Sequence, residues 1–104
     1  MDTIFALATA RGRSGVSIVR LSGPMAFEAA HQLTKREIPV RKPVLAEVVD
    51  AAGELVDQAL VLGFAEGGSF TGEAVIEFQL HGSPAIIAAV LGLLGDIDGL
   101  RLAE

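Results

Sequence analysis

The sequence has no cysteine, no tryptophan and no tyrosine, and only five phenylalanines. Without thiols there can be no disulfide, no thiolate nucleophile, no zinc ribbon and no iron–sulfur ligation. With so few rings, the core has to be built from aliphatic side chains. No apolar run is long enough to span a bilayer, since the longest, Ala85 to Leu94, covers half the required length. The opening Met1-Asp2-Thr3 lacks the basic start of a secretory signal. A cytoplasmic protein is the expectation.

Catalytic signatures are missing as well. There is no G-x-x-x-x-G-K-[ST], no G-x-G-x-x-G, no H-E-x-x-H and no G-x-S-x-G. The two histidines, His31 and His81, lie in different predicted elements without metal-ligand spacing, and His31 reads as a surface or boundary residue. The chain alone is therefore not expected to be catalytic.

What remains is a foldable, acidic chain. It has 104 residues, of which 51% are apolar, enough for one domain with a core. The net charge of −5 is unevenly spread. Residues 1–42 hold seven basic groups against three acids, and residues 43–104 hold ten acids against Arg101 alone. An acidic balance repels phosphate backbones, which argues against nucleic-acid binding by the domain on its own. The asymmetry reads either as a basic segment followed by acidic loops or as complementarity across a dimer.

Apolar periodicity predicts strands over Thr3–Thr9, Val16–Ser22, Leu45–Val49, Leu55–Leu62, Ala74–His81 and Gly99–Ala103. The third and fourth flank Asp50-Ala51-Ala52-Gly53 as a hairpin. Ser22-Gly23-Pro24 should open a first helix, with Ser22 as its cap and Ala26, Phe27, Ala30 and Leu33 as its apolar stripe. Gly82-Ser83-Pro84 repeats that opening before a nearly all-apolar helix, Ala85–Leu94. Arg36–Pro43 reads as a connector and Phe64–Glu73 as a polar, glycine-rich loop. Strands outnumber helices and come in mixed order, which predicts an α+β domain: a mixed sheet with helices on one face.

Two features could carry chemistry. Strand alternation places Arg20 on the face of Val16, Ile18 and Ser22, where a guanidinium requires either water, a carboxylate partner or an anionic ligand. On the fifth strand, Val75, Glu77, Gln79 and His81 share the face opposite Ile76, Phe78 and Leu80. That polar row is either a solvated surface or a pocket lining. A carboxylate such as Glu77 suits ligands that present two adjacent N–H donors, for example a 2-amino-4-oxo pyrimidine ring.

Four ordered blocks then carry a specific resemblance. They are Asp2-Thr3-Ile4-Phe5-Ala6-Leu7-Ala8-Thr9 with Gly12-Arg13, Gly15-Val16 and Ile18-Val19-Arg20-Leu21-Ser22-Gly23; Ser69-Phe70-Thr71-Gly72-Glu73 with Glu77; His81-Gly82 with Pro84; and Gly99-Leu100-Arg101-Leu102-Ala103-Glu104. Together they resemble the N-terminus of the TrmE (MnmE) family of tRNA-modification GTPases over essentially the whole chain. Arg11, Ser83 and Ala74 depart from the family's usual proline, second glycine and acid at those positions.

The resemblance implies a folate-binding fold similar to aminomethyltransferase-type domains, with residues 1–104 forming a tetrahydrofolate-binding and dimerisation domain. It implies a reduced one-carbon folate of the 5-formyl or methylene type, with Arg20 and Glu77 as the contacts carried over to this stretch. The helical and GTPase domains, with GTP, Mg and K ions, would lie outside this chain, as would a further basic folate contact. Partners implied are a second copy, an FAD-dependent tRNA-modification protein and tRNA itself, for a carboxymethylaminomethyl-type change at C5 of the wobble uridine. Two other classes stay open: a free-standing βαββαβ regulatory module for a small metabolite, and an assembly domain with a vestigial pocket. In the folate reading, a cation and a carboxylate from two separate strands face a common cleft.

Overall fold

A computed structural model describes residues 2–8, 15–67 and 72–103. The elements run β1 Thr3–Leu7, β2 Val16–Ser22, α1 Ala26–Thr34, β3 Val44–Val49, β4 Leu55–Phe64, β5 Val75–His81, α2 Pro84–Gly95 and β6 Leu100–Leu102. The six strands make one sheet in the order β3-β4-β5-β2-β1-β6. All neighbours are antiparallel except β1 and β6, which run parallel. The mixed sheet and its helices are an α+β architecture, as the periodicity predicts.

Period-two patterning decides which way each strand faces. Val19 and Leu21 of β2, Ile76, Phe78 and Leu80 of β5, Ala59 and Val61 of β4, and Ala46 and Val48 of β3 are buried in one cluster. Ala26, Ala29, Ala30 and Leu33 of α1 and Val90 and Leu94 of α2 close over it. The aromatic contribution is small, as expected: among the described residues Phe78 is the largest fully buried side chain and Phe5 the other buried ring. Each large side chain buried this way contributes about 1.5–3 kcal/mol relative to exposure. The small alanines of α1 let its backbone sit close to the sheet. Gly63 of β4 belongs to the same device, because a Cβ there would lie 2.7 Å from the Phe27 ring of α1.

The start of α1 differs from the expectation. Ser22 does not cap the helix; Met25 occupies that position and no side chain of its own bonds back. Ser22 is the last residue of β2, and its hydroxyl donates to Glu73 Oε2 at 2.8 Å. The Met25 N–H instead donates to Oγ1 of the buried Thr3, at 2.8 Å. A residue of β1, distant in sequence, thus supplies the acceptor. The intervening Gly23 has φ +141°, and a Cβ would lie 2.6 Å from the Thr3 Cα. Pro24 falls in the turn before the helix. At α2 Pro84 takes the first helical position over an extended Ser83, as predicted, although the Ser83 hydroxyl makes no cap bond.

The hairpin forms as read. Asp50 Oδ1 accepts from the N–H groups of Ala52 and Glu54, both at 2.9 Å, and fixes the turn. β4 runs two residues further than predicted, to Phe64, and β1 ends two residues earlier, at Leu7. In the Arg36–Pro43 connector, Val40 bridges to Gly63. Residues 68–71 of the glycine-rich loop, and residues 9–14 of the first turn, lie outside the described part. The neck of that loop is closed by Gly67 N–H donating to the Gly72 carbonyl at 2.9 Å.

Candidate functional site

β2 and β5 are the two central strands, and their antiparallel register sets Arg20 directly opposite Glu77. Both side chains point away from the helices, to the face on which no helix packs among the described residues. They meet there. Arg20 Nε donates to Glu77 Oε2 at 2.9 Å, and Nη2 donates to the same oxygen at 2.7 Å. Two donors converging on one oxygen leave Glu77 Oε1 outside the pair, together with the remaining guanidinium N–H groups.

The environment of the pair is half wet. The Arg20 side chain is 41% exposed and that of Glu77 17%. Across the same row of the sheet, Leu62 of β4 flanks Glu77 and Ala6 of β1 lies beside Arg20. The small Ala6 leaves the guanidinium uncovered on that side. One row along, the Ser22–Glu73 bond ties the returning end of the glycine-rich loop to β2. Gln79 continues the polar row between Ile18 and Leu60. The two predicted residues therefore come together on one face, in direct contact, and among the described residues no cleft separates them. A groove of about 450 Å³ lies elsewhere, between α2 and the β1–β2–β6 end of the sheet.

A second polar assembly was missed by sequence reasoning. Asp57 of β4 is buried, and its carboxylate accepts the His81 backbone N–H at 2.9 Å. Its other oxygen lies 2.7 Å from His81 Nδ1. The β4–β5 ladder begins only at the Leu60–Gln79 pair, so Asp57 supplies the acceptor that the diverging strand no longer offers. One signal was available: Asp57 alternates with Ala59 and Val61, which makes it an acid on the core face of a strand. His31 is exposed, as expected, 3.9 Å from Glu37. Among the described residues no group of His, Asp and Glu side chains could hold a metal ion. Nor is any helix there long and apolar enough to cross a membrane.

Comparison with known proteins decides the family. A profile described as "GTP-binding protein TrmE N-terminus" matches residues 3–104. The chain belongs to the TrmE family. Among its relatives are proteins named tRNA modification GTPase MnmE from Ruegeria pomeroyi, 54% identical, from Dinoroseobacter shibae, 50% identical, and from Ruegeria sp. strain TM1040, 49% identical. Each match takes in all 104 residues of this chain and 24% of the relative. The chain thus spans about a quarter of the length of these TrmE relatives, and the likeness concerns the part described as the N-terminus.

Proposed function

We propose that this chain is the N-terminal module of a tRNA-modification GTPase, where it binds a one-carbon tetrahydrofolate at Arg20 and Glu77 and pairs with a second copy. The observation that carries the reading is the Arg20–Glu77 pair, on the uncovered face of a domain whose family is that of the TrmE N-terminus. The residues present fit the ligand. Glu77 Oε1 is an acceptor outside the pair, suited to the adjacent N–H donors of a pterin ring. The guanidinium fixes the position of that carboxylate and keeps donors of its own for a ring carbonyl or a tail carboxylate. Folate, once bound, supplies the one-carbon unit. The domain's part is to bind and orient it.

Pairing is supported by the same face. Leu45 and Leu60 lie opposite each other on β3 and β4 and are 58% and 37% exposed, and Val16 on β2 is 50% exposed. An exposed apolar pair such as Leu45 and Leu60 is surface that a second copy can bury. In this reading GTP, Mg and K ions belong to a domain beyond this chain. An FAD-dependent partner and tRNA meet the complete protein, which modifies C5 of the wobble uridine in the cytoplasm.

Titration calorimetry with 5-formyltetrahydrofolate tests the site. Glu77→Gln and Arg20→Ala should each weaken binding roughly ten- to a hundredfold, the cost of a charge-assisted hydrogen bond. Unchanged affinity in both variants would remove these residues from the site. The mutual satisfaction of the two side chains favours one competing reading, an assembly domain in which the pair is only structural. Absence of folate binding by the native chain, with a dimer in sedimentation, would select it.

A further inference from the structure

From Pro84 to Gly95, α2 carries no polar side chain at all, yet only Val90 and Leu94 are buried. A helix apolar on every side belongs inside a structure. α1 shows what a finished surface helix looks like here, with Glu28, His31 and Gln32 turned outward and alanines inward. The groove beside α2 follows the same stripe: Ile87, Ala88 and Leu91 form one wall, and Leu7, Leu102 and Ala103 lie across from them. Among the described residues no titratable side chain lines it. Leu102 is 56% exposed at its rim.

The path of the backbone says what covers it. β6 runs parallel to β1, and the Ala103 N–H donates to the Phe5 carbonyl at 2.9 Å, so the chain is held against β1 up to the groove wall. Any polypeptide continuing from residue 103 starts beside Leu102 and Leu7. The family description places this part at the N-terminus, and the relatives are about four times as long. We propose that the groove seats an apolar helix face from the polypeptide that follows residue 103 in the parent protein, laid against Ile87, Ala88 and Leu91. The inference rests on the reading of this chain as the front of a longer protein. A tethered segment presents itself at an effective concentration on the order of millimolar. A second copy has no such advantage, and the uncovered sheet face already offers it a surface.

The chain has no cysteine of its own, so Ala88→Cys, at an exposed position, places one reporter on the stripe. Its alkylation rate by iodoacetamide, read by peptide mass spectrometry, should be at least tenfold slower in the parent protein than in the 104-residue chain, both at low micromolar concentration. Ile87→Asp should restore the fast rate in the parent. Leu102→Asp, at the exposed rim, should do the same should the first variant misfold. Equal rates in parent and chain would overturn the proposal. So would a slow, concentration-dependent rate in the 104-residue chain, which would assign the groove to a second copy. A reading frame that stops at residue 104 would remove the occupant altogether, and with it the parent-protein reading. Loss of folate binding with reporter protection intact would count against the folate site alone.

Discussion

The two faces of β2 and β5 are made of alternate residues of the same strands, yet they obey different rules. On one face Val19, Leu21, Ile76, Phe78 and Leu80 are sealed beneath the helices, and shape decides what is tolerated. On the other, Arg20, Glu77, Gln79 and Ile18 stay half exposed, and charge decides. A charged pair in the middle of a sheet is inexpensive here only because that face is open to water, where such pairs contribute about 0–1 kcal/mol. The lesson is that a central position in a sheet is not a buried one. Substitutions on one strand should therefore split into those that unfold the domain and those that spare it.

The largest effect belongs to the sealed face. Phe78→Ala should destabilise the domain by about 3–5 kcal/mol in urea unfolding, through lost transfer energy and the cavity left behind. Next is Gly23→Ala, at the turn that brings α1 onto Thr3. It should cost about 1–3 kcal/mol, because the left-handed backbone and the 2.6 Å approach to Thr3 both resist a side chain. Asp57→Ala should cost about 1–3 kcal/mol by leaving the His81 N–H without its acceptor, whereas Asp57→Asn, which keeps a carbonyl oxygen there, should cost less. On the open face, Arg20→Ala should lower the unfolding free energy by less than about 1 kcal/mol, and a loss comparable to that of Phe78→Ala would erase the distinction between the faces.

The smallest effect is at the sheet edge. The Arg101 guanidinium hydrogen-bonds Asp2 and holds its carboxyl below the ordinary 3.8. A depressed acid adds stability that is fully present above its unfolded value and is lost as the pH falls through the folded one. Asp2→Asn should therefore lower the thermal midpoint slightly at neutral pH, with the difference closing below about pH 3.8. A difference that grows on acidification would contradict the assignment.

Much of this architecture is legible in the residues, because apolar spacing survives without any knowledge of partners. β2 is read to the residue, and β5 declares its two faces through the alternation of Ile76, Phe78 and Leu80 with Glu77 and Gln79. α2 follows from its composition. The long-range pairings are not legible. Strand alternation puts Arg20 and Glu77 on outward faces of their own strands, but nothing local states that β2 and β5 are neighbours or that the two residues are in register. The same limit explains the Ser22 error. A serine two residues before a proline looks like a cap, and only the packing of β1 against the turn reveals that Thr3 accepts the Met25 N–H while Ser22 reaches Glu73. Asp57 was passed over for a related reason, since its partner lies 24 positions away on the next strand.

The strand order also bears on how the chain is made. β2 gains its first neighbour within a few residues, but its second, β5, arrives only after the hairpin and the glycine-rich loop have been synthesised. Until then a nascent chain carries an apolar strand with one open edge, the kind of surface on which wrong pairings begin. Chaperone dependence should therefore fall away once His81 has left the ribosome, rather than when α1 is complete.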